Sequence, residues 1–113
     1  SRIVKAMEII DKREKEGIPI EILGYSLGGI YAMYMASIYP EISVKVYNPV
    51  IASNEDSKHF MEGLANQNPN LVINTIEGDP VSINAKLYKD KFNIKERKKS
   101  RFFDSHSLEN YIF

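Results

Sequence analysis

A serine between glycines is the residue whose surroundings best fit catalytic chemistry in this sequence. Ser26 lies in GYSLGG (residues 24–29), a G-x-S-x-G pattern. This pattern is informative where a strand turns sharply into a helix, because the strained turn lifts the serine hydroxyl above the end of the strand. Glycines at Gly24 and Gly28 would remove the Cβ atoms that clash in so tight a turn. Ser26 is therefore a candidate nucleophile.

The helix expected after this turn meets a second requirement of acyl transfer. The first N–H groups of a helix have no partner within it, and the helix dipole places partial positive charge there. The backbone N–H of Leu27 would therefore stabilise an oxyanion that develops beside Ser26. A tight turn with a serine helix cap is the purely structural alternative.

A serine attacks a carbonyl only when a base takes its proton, and that base needs an acid to orient it. The sequence holds two histidines, His59 and His106. His59 falls in a predicted helix and is interpreted as a surface residue. His106 follows the predicted strands, where a loop can return over the sheet edge. The order serine, acid, histidine in hydrolases with this turn also favours His106, with a solvated loop histidine as the alternative.

Asp79 is the preferred acid because it comes directly after a predicted strand, LVINTI, and so lies at the same sheet edge as the serine. Glu55 and Asp56, which follow the preceding strand, are alternatives. Asp104 stands so close to the histidine in sequence that we expect it to form a local turn. A plain turn residue in a Gly-Asp-Pro corner remains the structural alternative for Asp79.

The elements that must position these residues follow from hydrophobic periodicity. The helix predicted at 27–39 is apolar nearly all round, which predicts that most of its sides are buried. Alternating helices and strands require crossovers, and hence a parallel sheet covered on both faces: a three-layer α/β sandwich in a single domain spanning 1–113. Helices are predicted at 3–16, 27–39 and 55–65, strands at 18–23, 42–47 and 71–76, then more weakly a helix near 84–96, an extended segment at 101–103 and a short helix after Ser107.

Composition narrows the class of protein. The chain has 113 residues, 15 basic and 15 acidic side chains and a 43% hydrophobic fraction, which predicts one folded domain rather than a disordered segment. The absence of cysteine excludes disulfides and thiolate metal sites, and two distant histidines offer no metal-binding spacing, so no metal or cofactor is predicted. No apolar run is long enough for a membrane span and no signal-peptide layout is visible, so we expect a soluble protein.

A basic segment, residues 86–101, departs from this balance. It contains eight basic and two acidic side chains, a local net charge of +6. Such a segment can contact an anionic surface of lipid headgroups or nucleic acid, although a solvated helix or loop is the usual alternative. Tyr88 and Phe92 lie within it at helical spacing, which is more typical of core packing than of base stacking. The nucleic-acid signal is therefore not strong.

Four motifs together resemble the class 3 lipase family of the α/β-hydrolase superfamily. They are GYSLGG, a strand ending in YNP, INTIEGDPV and SHSLENYI, and the resemblance extends from about residue 3 to the end of the chain. It implies Ser26 as nucleophile, Asp79 as acid and His106 as base. The turn that carries the serine is called the nucleophile elbow in this family, and Tyr25 stands where that elbow typically has histidine. The family's upstream strands, lid and second oxyanion loop have no counterpart in this sequence.

The resemblance implies the C-terminal half of an α/β-hydrolase fold, with the N-terminal half missing or supplied by another chain. The expected function is a serine ester hydrolase of the lipase or esterase kind, acting on a lipid or another carboxylic ester. A thioesterase, acyltransferase or peptidase could use the same three residues, because they do not specify the leaving group. A catalytically inactive, hydrolase-like interaction protein is the alternative from another class.

Overall fold

Helices and strands alternate along the chain, as the periodicity predicts. The structure is a computed structural model that describes residues 2–100 and 106–111. No helix in these two stretches is long and apolar enough to cross a membrane. The elements are α1 (Arg2–Lys15), β1 (Glu21–Tyr25), α2 (Gly28–Ile38), β2 (Ser43–Tyr47), α3 (Glu55–Gln67), β3 (Leu71–Ile76), a 3₁₀ helix (Ile83–Tyr88), β4 (Asn93–Arg97) and a second 3₁₀ helix (Leu108–Tyr111).

The four strands form one parallel sheet in the order β1-β2-β3-β4. Gly24 of β1 lies opposite Val46 of β2, and Val46 lies opposite Ile73 of β3. Because all the strands run the same way, their carboxyl ends meet at one edge of the sheet. The predicted α/β class with a parallel sheet is confirmed.

The core lies between one face of this sheet and the helices. Val44, Val46 and Ile73 are fully buried there against Ala36 of α2 and Leu64 of α3. Of the three crossovers between the strands, those through α2 and α3 run in the same direction along the sheet. Since crossovers are right-handed in nearly all proteins, they place both helices on the same face. Burying each of these valine, isoleucine and leucine side chains contributes roughly 1.5–3 kcal/mol.

The opposite face of the sheet is only partly covered in the described part of the chain. Leu23 of β1 is 61% exposed, and Lys45 and Val72, its neighbours across the register, are half-buried. The segment 106–111 lies over the carboxyl end of this face through the ring of Tyr111. The expected cover of helices on both faces is therefore not found among the described residues.

Helix α2 is not buried on most sides, contrary to the sequence prediction. Its small and sulfur-containing side chains, among them Ala32 and Met33, face the core. Ile30, Tyr31 and Tyr34 are 40%, 43% and 43% exposed. Composition could not reveal this, because apolar residues surround the whole helix and only the position of the sheet decides which side is buried.

The region after β3 also differs from the sequence prediction. The prediction of a helix near 84–96 is wrong, because the chain forms the 3₁₀ helix Ile83–Tyr88 and then the strand β4. Strand β4 is mostly charged and exposed because it lies at the end of the sheet, so it lacks the apolar alternation of a buried strand. The short C-terminal helix is a 3₁₀ turn, Leu108–Tyr111, while the extended segment expected at 101–103 lies outside the described residues.

A buried asparagine closes the end of α2 that lies away from the candidate site. Asn68 is 2% exposed, and its side-chain N–H groups donate to the carbonyl oxygens of Ala36, Tyr39 and Ile42, each at 3.2 Å. Its own side-chain oxygen accepts the N–H of Asn70 at 2.8 Å. One side chain thus joins the carbonyl oxygens at the end of α2 to those of the turn that follows it.

Replacing Asn68 with Asp should destabilise the fold, because a carboxylate cannot donate to three buried carbonyl oxygens. We expect a loss of about 1–3 kcal/mol in the free energy of unfolding, measured by urea denaturation. Asn66→Asp is the matched control, since Asn66 is exposed on the last turn of α3, two residues before Asn68. Equal losses in the two variants would contradict this role for Asn68.

Candidate active site

The backbone at Ser26 adopts a conformation that few residues other than glycine tolerate. Its φ of +54° lies in the left-handed region, which costs on the order of 1–3 kcal/mol. Three backbone hydrogen bonds hold it there. The Ser26 N–H donates to Tyr47 O at 3.0 Å, and the Ser26 carbonyl accepts from Gly29 N at 3.0 Å and from Val50 N at 3.3 Å. The turn after β1 is therefore tied to both α2 and the loop after β2.

Two glycines make this turn sterically feasible, and one of them is not the one expected. A Cβ at Gly24 would lie 2.6 Å from the Ala32 Cβ, and one at Gly29 would lie 2.8 Å from the Pro49 Cβ. A Cβ at Gly28 would meet nothing within 4 Å outside its own helix. The steric role predicted for Gly28 is thus wrong, because the close contact is between the next residue and the loop after β2.

The structure brings Ser26, His106 and Asp79 together at the carboxyl edge of the sheet. Ser26 Oγ lies 2.6 Å from His106 Nε2, and His106 Nδ1 lies 3.0 Å from Asp79 Oδ2. A carboxylate only accepts hydrogen bonds, so the Nδ1 must carry the imidazole proton. The lone pair of Nε2 then faces the serine hydroxyl. This is the arrangement in which a histidine can take a proton from a nucleophile.

Asp79 is buried, at 1% exposure, and is held by more than the histidine. Ser82 Oγ donates to its Oδ2 at 2.7 Å, and the Val81 N–H donates to Oδ1 at 3.2 Å. Burial by itself raises the pKa of a carboxyl group. Here the hydrogen bonds from Ser82, His106 and Val81 outweigh burial and lower the pKa of Asp79 below its ordinary value. The carboxylate therefore stays ionised at neutral pH.

The segment 106–111 is fastened to the sheet at its far end. The Tyr111 ring packs edge-on against Tyr47, with centroids 4.9 Å apart, and its hydroxyl donates to Asn48 Oδ1 at 2.6 Å. Asn48 is fully buried and has a φ of +47°. Burial and the nearby charge of Asp79 raise the pKa of Tyr111, so its hydroxyl keeps its proton.

The sequence did not single out Ser82, Asn48 or Tyr111 as parts of this site. A serine three residues after an aspartate is typical of a side-chain turn, so the contact between Asp79 and Ser82 is predictable from the sequence. The contacts of Asn48 and Tyr111 join positions 63 residues apart, and only the tertiary structure reveals them.

Leu27 follows the serine immediately and precedes the first residue of α2. Its φ of −62° and ψ of −35° are helical, and its side chain is 59% exposed. Its N–H has no hydrogen-bond partner among the residues that the structure describes. This leaves one backbone donor at the positive end of the α2 dipole, next to the serine.

The other sequence candidates are not among the hydrogen-bond partners of Ser26, His106 and Asp79 in the described part of the chain. His59, Glu55 and Asp56 are exposed on α3, and Asp104 lies outside the described residues. Within 2–100 and 106–111, no group of three or more histidine, cysteine, aspartate or glutamate side chains could hold a metal ion.

The basic segment 86–101 is solvent-exposed over most of its described length, which ends at Ser100. Tyr88 is 5% exposed in the core, and Phe92 packs edge-on against it with ring centroids 6.3 Å apart, so these rings serve packing. Two of the lysines form exposed ion pairs, Lys86 with Glu96 at 3.6 Å and Lys91 with Glu62 at 3.8 Å. Such pairs stabilise little, about 0–1 kcal/mol each.

Comparison with known proteins adds no identification. Neither the scan against protein-family models nor the search of curated proteins finds a match to this chain. The candidate site therefore rests on its own residues and geometry.

Alanine at the three turn glycines should separate steric need from sequence pattern. We expect Gly24→Ala and Gly29→Ala each to lower the free energy of unfolding by about 1–3 kcal/mol, because the new Cβ overlaps a neighbour. Gly28→Ala is the matched control and should be neutral or stabilising, since alanine favours a helix by up to about 1 kcal/mol. Urea denaturation measures all three, and a loss in Gly28→Ala as large as the other two would contradict the contacts described.

The lowered pKa of Asp79 predicts how stability depends on pH. The ionised carboxylate contributes its full stabilisation above the pKa of an unfolded aspartate, about 3.9, and this is lost as the pH falls through the lower folded value. Ser82→Ala removes one of the bonds that lower the pKa, so its free energy of unfolding should fall less between about pH 5 and pH 2. Urea denaturation across that range tests this, with exposed Ser53→Ala as control. A slope unchanged by Ser82→Ala would contradict it.

Proposed function

We propose that this protein is a serine ester hydrolase in which Ser26 is the nucleophile, His106 the general base and Asp79 the acid that orients it. The observation that carries this proposal is the 2.6 Å contact between Ser26 Oγ and His106 Nε2, two atoms from residues 80 positions apart. The strained backbone of Ser26 adds support, because such strain persists only where the surrounding structure imposes it.

The reaction follows from the direction of these hydrogen bonds. Ser26 Oγ attacks the ester carbonyl carbon while its proton moves to His106 Nε2. The imidazolium that forms is stabilised by Asp79, and it returns the proton to the departing alcohol. An acyl-enzyme ester remains on Ser26. Water then attacks this ester while the same histidine takes a proton from it, and the histidine returns that proton to Ser26 Oγ as the carboxylic acid leaves. The Leu27 N–H stabilises the oxyanion in both steps.

An apolar groove beside the serine supports an ester with an apolar acyl group. It opens between α2, the loop after β2 and α3, and it adjoins the serine because Val50, one of its residues, donates its N–H to Ser26 O. Ser57 is the polar side chain in its lining, and the rest is apolar or aromatic: Ile30, Met33, Val50, Ile51, Ala52, Phe60 and Met61. A lining of this kind fits the acyl group of a lipid or of another apolar ester.

The order of the elements supports the C-terminal half of an α/β-hydrolase fold. The serine follows the first strand, the acid follows the third, and the histidine follows the fourth, all on one parallel sheet. Strand β1 ends the sheet among the described residues, and its outer edge can pair with a further strand. A missing N-terminal half, from the same polypeptide or another chain, is the partner we propose for that edge.

An inactive, hydrolase-like interaction protein is the second candidate. It is favoured by apolar side chains left on the surface, among them Leu23 at 61% and Leu87 at 68% exposed. The basic segment 86–101 would then dock an anionic partner. Binding that weakens steeply with salt, without any esterase activity, would support this candidate.

Fluorophosphonate labelling tests the nucleophile directly. The probe should modify Ser26, as read by mass spectrometry, and should fail to modify a Ser26→Ala variant. His106→Ala should lower both labelling and hydrolysis of a short-chain ester by at least about 10³-fold, because no other group takes the serine proton.

The second histidine provides the matched control for this experiment. His59→Ala removes an exposed imidazole from α3 and should leave labelling and hydrolysis within about twofold of wild type. A folded protein that is not labelled would contradict the enzyme proposal and favour the interaction protein.

A further inference from the structure

Tyr25 is the residue immediately before the nucleophile, and its side chain leaves the strand on the side opposite the helices. Successive residues of a strand point to opposite faces, and Gly24 is the one that faces α2 through Ala32. Tyr25 therefore points to the face over which the segment 106–111 lies.

Two separate contacts join Tyr25 to His106. The Tyr25 hydroxyl donates a hydrogen bond to the backbone carbonyl of His106. The tyrosine ring also stacks on the imidazole, with centroids 5.3 Å apart and planes 25° from parallel. One side chain thus contacts both the backbone and the ring of the same histidine.

The imidazole of His106 needs such support because its two nitrogen contacts do not fix it completely. The bonds to Ser26 and Asp79 lie in the plane of the ring, while the ring could still tilt about the line that joins them. Stacking acts from a third direction, against the face of the ring. The hydroxyl bond sets the height of the backbone from which the imidazole extends.

We propose that Tyr25 is a positioning residue that holds His106 in line with Ser26, a role that rests on the proposed hydrolase function. Nucleophile and anchor are adjacent in sequence on the same rigid strand end. The distance between the serine hydroxyl and the base is therefore set by neighbouring residues and not by the whole length of chain between them. A displacement of about 1 Å in such an arrangement can cost on the order of 10²-fold in rate.

Tyr25 acts through His106 and is not assigned any contact with substrate. Its hydroxyl proton is engaged by the His106 carbonyl and so is not offered to a reacting ester. Tyr25→Phe keeps the stacked ring and loses the hydrogen bond, so kcat should fall by about 3- to 10-fold. Tyr25→Leu loses both contacts, and kcat should fall by about 10²-fold. KM should change by less than about twofold in both variants, because substrate binding is untouched.

A double-mutant cycle with His106→Ala separates positioning from a general structural effect. Hydrolysis of a short-chain ester is measured for wild type, Tyr25→Phe and Tyr25→Leu, each with His106 and with Ala at that position. In the His106→Ala background both Tyr25 substitutions should leave the residual rate unchanged, since no base remains to be positioned. Tyr34, 43% exposed on α2, provides the matched controls Tyr34→Phe and Tyr34→Leu, which should keep wild-type rates.

The outcomes distinguish this role from the function on which it rests. The hydrolase function stands if Ser26→Ala abolishes the hydrolysis that the wild type shows. The positioning role is then overturned if the Tyr25 substitutions lower the rate by the same factor with His106 as in the His106→Ala background. It is also overturned if they lower the rate in neither background. If the folded wild type neither hydrolyses esters nor reacts with fluorophosphonate, both are overturned. Should Tyr25→Leu fail to fold, as judged by circular dichroism, the Tyr25→Phe cycle decides alone.

Discussion

The candidate site depends on the hydrogen bond from the Ser26 N–H to the carbonyl of Tyr47. This bond extends the β1–β2 pairing one residue beyond the strand, so the serine remains in register while its backbone turns left-handed. The strain of that turn persists only because contacts from α2 and from the loop after β2 hold it in place. Gly29 meets Pro49 closely on one side, and Val50 donates to the serine carbonyl on the other. The loop after β2 is therefore as much a part of the elbow as the GYSLGG pattern itself.

From this fixed point the parallel sheet explains how distant residues converge. Asp79 comes from the carboxyl end of β3 and His106 from the chain beyond β4, and both reach the edge where β1 ends. The contacts are ordered outward from the buried side. Ser82 and the backbone hold the carboxylate, the carboxylate holds Nδ1, and Nε2 faces the serine. Burying Asp79 is tolerable because these donors replace the water it loses, which is also why its pKa is lowered.

The face of the sheet opposite the helices has a different role from the core. Tyr25 and Tyr47 lie side by side in the register there, at the carboxyl ends of β1 and β2. One contacts His106 and the other contacts Tyr111, so two neighbouring tyrosines receive the two ends of one short segment. Aromatic rings and hydroxyl groups position the segment 106–111 on this face. Aliphatic packing, such as that around Val44 and Val46, lies on the other face.

The sequence by itself determined the features that rest on local signals. Glycine spacing and periodicity predicted the α/β class, a turn at Ser26 and Asp79 at the same sheet edge, and the chain order of serine, acid and histidine favoured His106. The tertiary structure decided the rest. It made a strand of the charged segment Asn93–Arg97, and it exposed one side of an all-apolar helix. It also made Gly29, not Gly28, the close contact of the turn. Each of these features depends on which part of the fold, distant in sequence, a residue contacts. Residue type and local spacing do not determine such contacts.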